Sequence, residues 1–295
     1  MRITNTMMAN NVISNLNKNT VKLVKAQEVV ATEKVINRPS DDPIGMSNIL
    51  SFRSELSAIQ QYTRNIVQGK MRIEVSETAL DAIDGLVRDA KEIAVSLSTV
   101  PGDSGNRAIM ASSVQDIHDQ VLQLANSQFE GYYLFAGTES DKPAFSADGT
   151  YDGNSGDIYL SAEKNARIKI NASGDELFTI STGVNVFSVL DDLKDALEVD
   201  PYIESTVFDQ VTLLNDVHEQ IDFVRSQMST KFKRLEGFES QLAAYKNKFE
   251  ELLSIQEDAN MPKAIIDMQQ QETAYEVSLA TSGRIFQKSV IDFIG

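Results

Sequence analysis

The sequence contains no cysteine and no tryptophan. Without cysteine there can be no disulfide, no thiolate nucleophile and no cysteine-ligated zinc. Proline is scarce, six residues in 295, and so leaves room for long uninterrupted helices. Positive charge is in the minority: 27 Lys and Arg stand against 43 Asp and Glu, for a net charge of −16. No Lys/Arg cluster occurs, so neither nucleic acid nor an anionic membrane surface is an expected partner. No apolar run approaches the roughly 18 residues needed to cross a bilayer. The opening Met1–Asn10 is polar, with no apolar core and no Ala-x-Ala site, so no secretory signal peptide is expected there.

Catalytic and metal-binding patterns are equally thin. The two histidines, His118 and His218, have no second histidine at ligand spacing, and both are expected to be packed or half-exposed structural residues. The acidic pairs Asp41-Asp42 and Asp191-Asp192 lie beside expected helix starts, where capping and the helix dipole account for them. The glycine-rich stretch Asp148–Asp157 does not have the ligand spacing of an EF-hand and reads as turns. There is no phosphate-binding Gly-Lys-Ser/Thr loop and no Gly-x-Ser-x-Gly elbow. Asn171-Ala-Ser173 is a formal glycosylation sequon and reads as a chance match. No enzyme activity, cofactor or metal is expected.

What is present is hydrophobic periodicity. Ala9, Val12, Leu16, Asn19, Leu23, Ala26 and Val30 alternate spacings of three and four, predicting a helix over about 7–36 with a thin heptad seam. The segment Asn37–Gly45 interrupts it with two prolines, and Asp42-Pro43 predicts the capped start of a second helix running to about Ser98. Phe52, Ile59, Ile66, Ile73 and Leu80 repeat every seven residues along that helix. Its second half carries Ala79, Ile83, Leu86, Ala90, Ile93 and Leu97. A third helix presents Met110, Val114, Ile117, Val121 and Leu124.

From Gly131 to about Gly183 the period changes. Tyr132–Phe135, Ile158–Leu160, Arg167–Ile170 and Leu177–Ile180 are short β-prone runs between turn dipeptides, predicting a compact β insert that leans on the helices. A short helix is predicted at about 187–198, and Asp200-Pro201 is expected to cap the next. That helix has the cleanest seam: Leu214, Val217, Ile221, Val224, Met228, Lys231, Leu235, Phe238, Leu242, Tyr245, Phe249 and Leu252. Lys231 alone is not apolar. Pro262 ends the helix, and a last segment carries a patchier seam through Ile265, Met268, Glu272, Tyr275, Leu279, Ser282, Phe286 and Phe293. Such amphipathic helices are stable only where their seams share a core. The expected fold is therefore mainly α with a small β insert: a long antiparallel helical bundle or coiled coil. Its domains are 1–39 with 263–295, then 40–130 with 184–262, and finally 131–183. The two terminal segments, poorest in apolar area, are expected either to be loosely ordered alone and ordered by neighbouring subunits, or to fold back on the core of their own chain.

These pieces resemble a known family. Met1-Arg-Ile-Thr-Asn-Thr-Met-Met is similar to the start of the flagellar hook-associated protein type 3 family, the hook-filament junction proteins of the flagellin-like superfamily. Asn37–Gly45 resembles the family's first interhelical motif, and flagellins, similar there, usually lack the proline found at Pro43. Gly131–Thr138 with Pro143–Phe145 resembles the family's entry into its β domain, and Ser173–Phe178 its exit. Glu272–Glu276, Ile285-Phe286 and Ser289–Ile294 resemble its closing helix, although relatives more often end in Leu-Arg than in Ile294-Gly295. The resemblance implies a flagellin-like plan, with an inner coiled coil of the two ends, a bundle shell and an outward β insert. It also implies export through the flagellar type III apparatus, and a junction role in the extracellular flagellum. The implied partners are an export chaperone on the terminal helices, the other junction protein, flagellin, and further copies of the chain in a ring. Val12, Leu16, Leu23, Val30, Ile265, Met268, Tyr275, Leu279, Phe286, Ile291 and Phe293 are the expected assembly and chaperone-binding residues. Pro39, Ser40, Asp41, Asp42 and Pro43 form the interhelical motif. The alternatives are a flagellin subunit, and a type III secretion tip protein or coiled-coil adhesin.

Overall fold

The computed structural model describes residues 5–99, 102–178 and 183–294, with the side chains of 5–6, 8–9 and 284–294 outside the description. Helices dominate: α1 (Asn5–Thr32), α2 (Pro43–Thr99), α3 (Ser104–Ala125), α4 (Gly174–Phe178), α5 (Val186–Glu198), α6 (Glu204–Glu257) and α7 (Met261–Ile294). Four short strands, β1 (Gln128–Phe129), β2 (Tyr132–Tyr133), β3 (Tyr159–Glu163) and β4 (Ala166–Lys169), form two antiparallel pairs, β1–β2 and β3–β4. The expected mainly helical fold with a small β insert is therefore what the chain adopts. α6 is 54 residues long, about 80 Å at the usual rise.

The chain divides into two compact units. One comprises Met1–Ala58 and Ala244–Gly295, the other Ile59–Ala243. Both divisions fall inside helices α2 and α6.

In the larger unit the predicted seams are the core. Ile59, Ile66, Ile73 and Leu80 of α2 are buried, as are Leu214, Val217, Ile221, Val224, Met228, Leu235 and Leu242 of α6. Lys231, the one cation in the α6 seam, is half-buried and extends its Nζ to the carbonyl of Asn171 (3.5 Å). The break in the apolar pattern thus marks where the β insert meets α6. On α2 the insert approaches even closer. A Cβ at Gly69 would meet Leu160 Cδ1 at 2.7 Å, so glycine lets the Leu160 side chain of β3 seat there without shifting. Arg72 reaches the carbonyls of Tyr133 and Leu134, and Asn65 Nδ2 donates to the carbonyl of Ser161 (3.2 Å). The insert leans on the bundle, as its small size requires. Its own centre is aromatic: Phe178 lies 5.9, 5.3 and 6.1 Å from Phe135, Phe145 and Phe187 by ring centroids.

Three expectations are corrected. Leu177-Phe178, read as the start of a strand, lies in α4, while Thr179 and Ile180 lie outside the described residues. Ser173 Oγ accepts from the Glu176 amide (3.4 Å) and two acidic residues occupy the first turn, so a helix start outweighs the β propensity. Asp200-Pro201 does not cap α6. Its peptide is cis, and α6 begins at Glu204. Tyr202 is held off the helix by its hydroxyl, which donates to the Leu97 carbonyl (2.9 Å), and by the Arg107 guanidinium stacked over its ring. Asp191-Asp192 lie inside α5, whose N-cap is Asn185.

Candidate assembly surface

The smaller unit brings the two ends of the chain together. α1 packs on α7, antiparallel, and Asn19 Nδ2 donates to Ser278 Oγ across the pair (2.5 Å). Of the predicted assembly residues, Val12, Leu16, Leu23 and Val30 are half-buried on α1, as are Met268 and Tyr275 on α7. Ile265 and Leu279, read as seam, are 40% and 51% exposed. The covered face of α7 instead runs through Ala264, Met268, Gln271, Tyr275, Ser278 and Ser282. Phe286, Ile291 and Phe293 lie in α7, but their side chains are outside the described residues. The covered side of the pair thus mixes half-buried apolar residues with small and polar ones, and a second set of apolar residues lies outside it. Met7, Ile13, Val21 and Val24 of α1 and Ile265, Ile266, Val277 and Leu279 of α7 are all exposed.

The pair is closed at one end by a clasp. α1 stops at Thr32, short of the predicted 36, because Glu33 adopts a left-handed conformation (φ 60°) and Lys34 bridges Asp258 in antiparallel β fashion. The Val35 amide donates to the Glu257 carbonyl and the Ala259 amide to the Glu33 carbonyl, both at 2.8 Å. At its centre is the Glu257 side chain, only 4% exposed, which takes an ion pair from Lys34 and one from Arg53 Nη2 (2.6 Å). Ile36 is buried, and a Cβ on Gly45 would displace the side-chain ends of Ile36, Asp42 and Gln256, so glycine lets them close in there.

The predicted interhelical motif builds the adjoining turn. Asp41 Oδ2 accepts from the amides of Asn37 (3.3 Å) and Arg38 (3.1 Å), while Oδ1 pairs with Lys25 of α1 (2.9 Å). The bond from Lys25 holds the Asp41 carboxyl below the usual carboxylate range. Asp42 caps α2 through the Ile44 amide (3.1 Å), with Pro43 at the first helical position as expected. Pro39 and Ser40 are exposed in the turn between. Glu257, Lys34 and Arg53 went unnoticed in the sequence, because charged residues at the end of a helix look like ordinary solvated surface.

Among the described residues one group has metal-ligand geometry: Asp84, His218 and Asp222 of the larger unit. Its cation is already supplied by protein. Arg88 Nη2 and His218 Nδ1 both contact the fully buried Asp84 carboxylate, and Arg225 Nη1 lies 3.7 Å from both Asp84 and Asp222. Burial alone would raise the Asp84 pKa, but the hydrogen bonds from Arg88 and His218 outweigh it and hold it below the usual range. His118 is buried, edge-on to Phe187 at 5.5 Å, with Nδ1 3.2 Å from Asp119. Asn171 of the sequon is buried, with its side chain bonded to Ile158 and Gly156.

The profile of the bacterial flagellin N-terminal helical region matches residues 3–140. Over that stretch the chain is similar to flagellin-like structural proteins of the bacterial flagellum. The resemblance to hook-associated protein type 3 extends over most of the chain. The Flagellar hook-associated protein 3 of Escherichia coli K12 is 26% identical over 263 residues, 81% of this chain and 83% of that one. Two solved structures share the fold. The putative flagellar hook-associated protein of Vibrio parahaemolyticus is 22% identical with a TM-score of 0.69, covering 74% of this chain and 99% of that one. Bacillus cereus FlgL is 18% identical with a TM-score of 0.61, covering 69% and 99%. No helix among the described residues is long and apolar enough to cross a membrane.

Proposed function

We propose that this chain is the hook-filament junction subunit of an extracellular flagellum, linking the other junction protein to flagellin. It is exported by the flagellar type III apparatus, escorted by a chaperone on its terminal helices, and forms a ring of identical copies through those helices. The observation that carries this is the second apolar face of the α1–α7 pair, where Met7, Ile13, Val21 and Val24 of α1 and Ile266 and Val277 of α7 are exposed. A pair with so thin a seam is marginal alone, and a contiguous apolar face marks an interaction surface. Neighbouring subunits would complete its order. In this arrangement 1–39 with 263–295 form the inner layer, 40–130 with 184–262 the second, and 131–183 face outwards.

Deletion of the gene tests the junction role. The expected phenotype is cells with hooks but no filaments, shedding flagellin into the medium. Cells lacking flagellin altogether would favour the flagellin alternative, and normal filaments would refute both. Complementation with Val21→Lys/Val24→Lys is expected to fail although the variant is made and exported. Digestion of the free subunit is expected to trim 1–36 and 263–295 first, and uniform resistance there would count against ordering by neighbours.

A further inference from the structure

We propose that the buried polar cluster around Asp84 selects the stagger between α2 and α6, contributing a choice of register rather than net stability. The need for such a device comes from the seams. Apolar residues on α2 repeat every seven positions from Phe52 to Leu80, and the α6 seam alternates three and four over its whole length. Sliding one helix past the other by a heptad, about 10.5 Å, therefore sets apolar residues against apolar residues again. Hydrophobic burial is non-directional and discriminates poorly between such arrangements.

The cluster does discriminate. Asp84 has no solvent exposure and sits among buried Leu80, Ile83 and Val87. In the observed stagger it meets His218, with Arg225 Nη1 at 3.7 Å, while Arg225 Nε pairs with Glu77 (2.8 Å) and Nη2 with Asp81 (2.8 Å). A slip in one direction would put Val211 opposite Asp84 and leave the carboxylate with Arg88 alone. A slip in the other would bring Arg225 to Asp84, but would leave Glu77 facing Phe232 and His218 facing Lys91. In the first slip the fully buried Asp84 carboxylate loses its partners on α6 and keeps only Arg88 of its own helix, and in the second the partly exposed Glu77 loses Arg225; the first loss is costlier than replacing the cluster by apolar side chains. A single buried polar site can fix register in heptad-patterned helices by this asymmetry. One fixed stagger gives every copy of the chain the same contact faces, which a regular polymer requires.

The absence of cysteine makes the test direct. Spin labels on cysteines introduced at Gln68 and Thr212, exposed positions well apart along the helix axis, report the stagger, since a one-heptad slip changes their separation by about 10 Å. The labelled but otherwise unaltered chain is expected to give one distance. Asp84→Leu/His218→Leu, in which Arg225 keeps Glu77 and Asp81, is expected to stay helical with an undiminished thermal midpoint. It should also show a second distance about 10 Å from the first. A single unchanged distance in the folded variant overturns the proposal, because register is then set elsewhere. Loss of the fold also overturns it, because the cluster is then supplying stability.

Discussion

The clasp at Glu257 yields a prediction in which the two sides of one interaction are unequal. Its carboxylate is 4% exposed, whereas its partners Lys34 and Arg53 are 41% and 48% exposed. Glu257→Gln removes the buried charge, keeps the shape, and leaves two cations that water can solvate. Its cost is that of charge-assisted hydrogen bonds to half-exposed groups, about 1–2 kcal/mol after screening. Lys34→Gln/Arg53→Gln does the opposite, leaving a desolvated carboxylate with no counter-charge, which costs roughly 3–5 kcal/mol. Because the two compact units need not unfold together, a global midpoint is the wrong observable. Hydrogen exchange at the Val35 and Ala259 amides, which make the cross-chain bonds of the clasp, reads the local opening free energy directly. The expected order is the parent slowest, Glu257→Gln faster by about tenfold, and the double variant faster by at least a hundredfold, with amides of the α6 core around Ile221 unaffected. Equal acceleration in the two variants, or a reversed order, would refute the view that the buried carboxylate governs the clasp.

Three further outcomes are expected. Phe178→Ala removes a fully buried ring that contacts three others and should cost about 3–5 kcal/mol in thermal or denaturant unfolding of the larger unit. Gly237→Ala, in a helix interior where an added Cβ meets nothing within 4 Å, should stabilise by about 0.5–1 kcal/mol in the same assay. Burial pushes the Tyr151 hydroxyl up to about 12, so the folded chain holds that proton more tightly than the unfolded one. Its contribution is complete below pH 10 and is lost as pH rises from about 10 to about 12. Tyr151→Phe should flatten that part of a stability-against-pH curve while losing the hydroxyl's bonds to Phe135 and Asn154.

The helical seams of the larger unit were legible because one stripe of side chains decides which face is buried. The α6 pattern named its core residues, and its one exception, Lys231, marked the contact with the β insert. The terminal pair was less legible. α7 carries two candidate stripes offset by about one residue, and periodicity does not say which is used within the chain and which is left for another molecule. Ile265 and Leu279 consequently lay on the uncovered side. The strand expected at Leu177-Phe178 failed for another reason. A run as short as Leu177–Ile180 carries no usable period, and at its first two residues the Ser173 cap and two acidic residues upstream decided for helix. The clasp was invisible because nothing in the sequence links Glu257 to Lys34 and Arg53. Only the Asp42-Pro43 start of α2, whose role is local, could be assigned in advance.

That clasp also bears on the order of folding. Arg53 and Glu257 are 204 residues apart in sequence, and Asn19 and Ser278 are 259 apart. Contacts of such high contact order close an enormous loop and must wait until nearly the whole polypeptide is available. During synthesis α1 therefore has no mate within this chain until α7 leaves the ribosome, and for all that time it is open to any other binder that can offer it a groove.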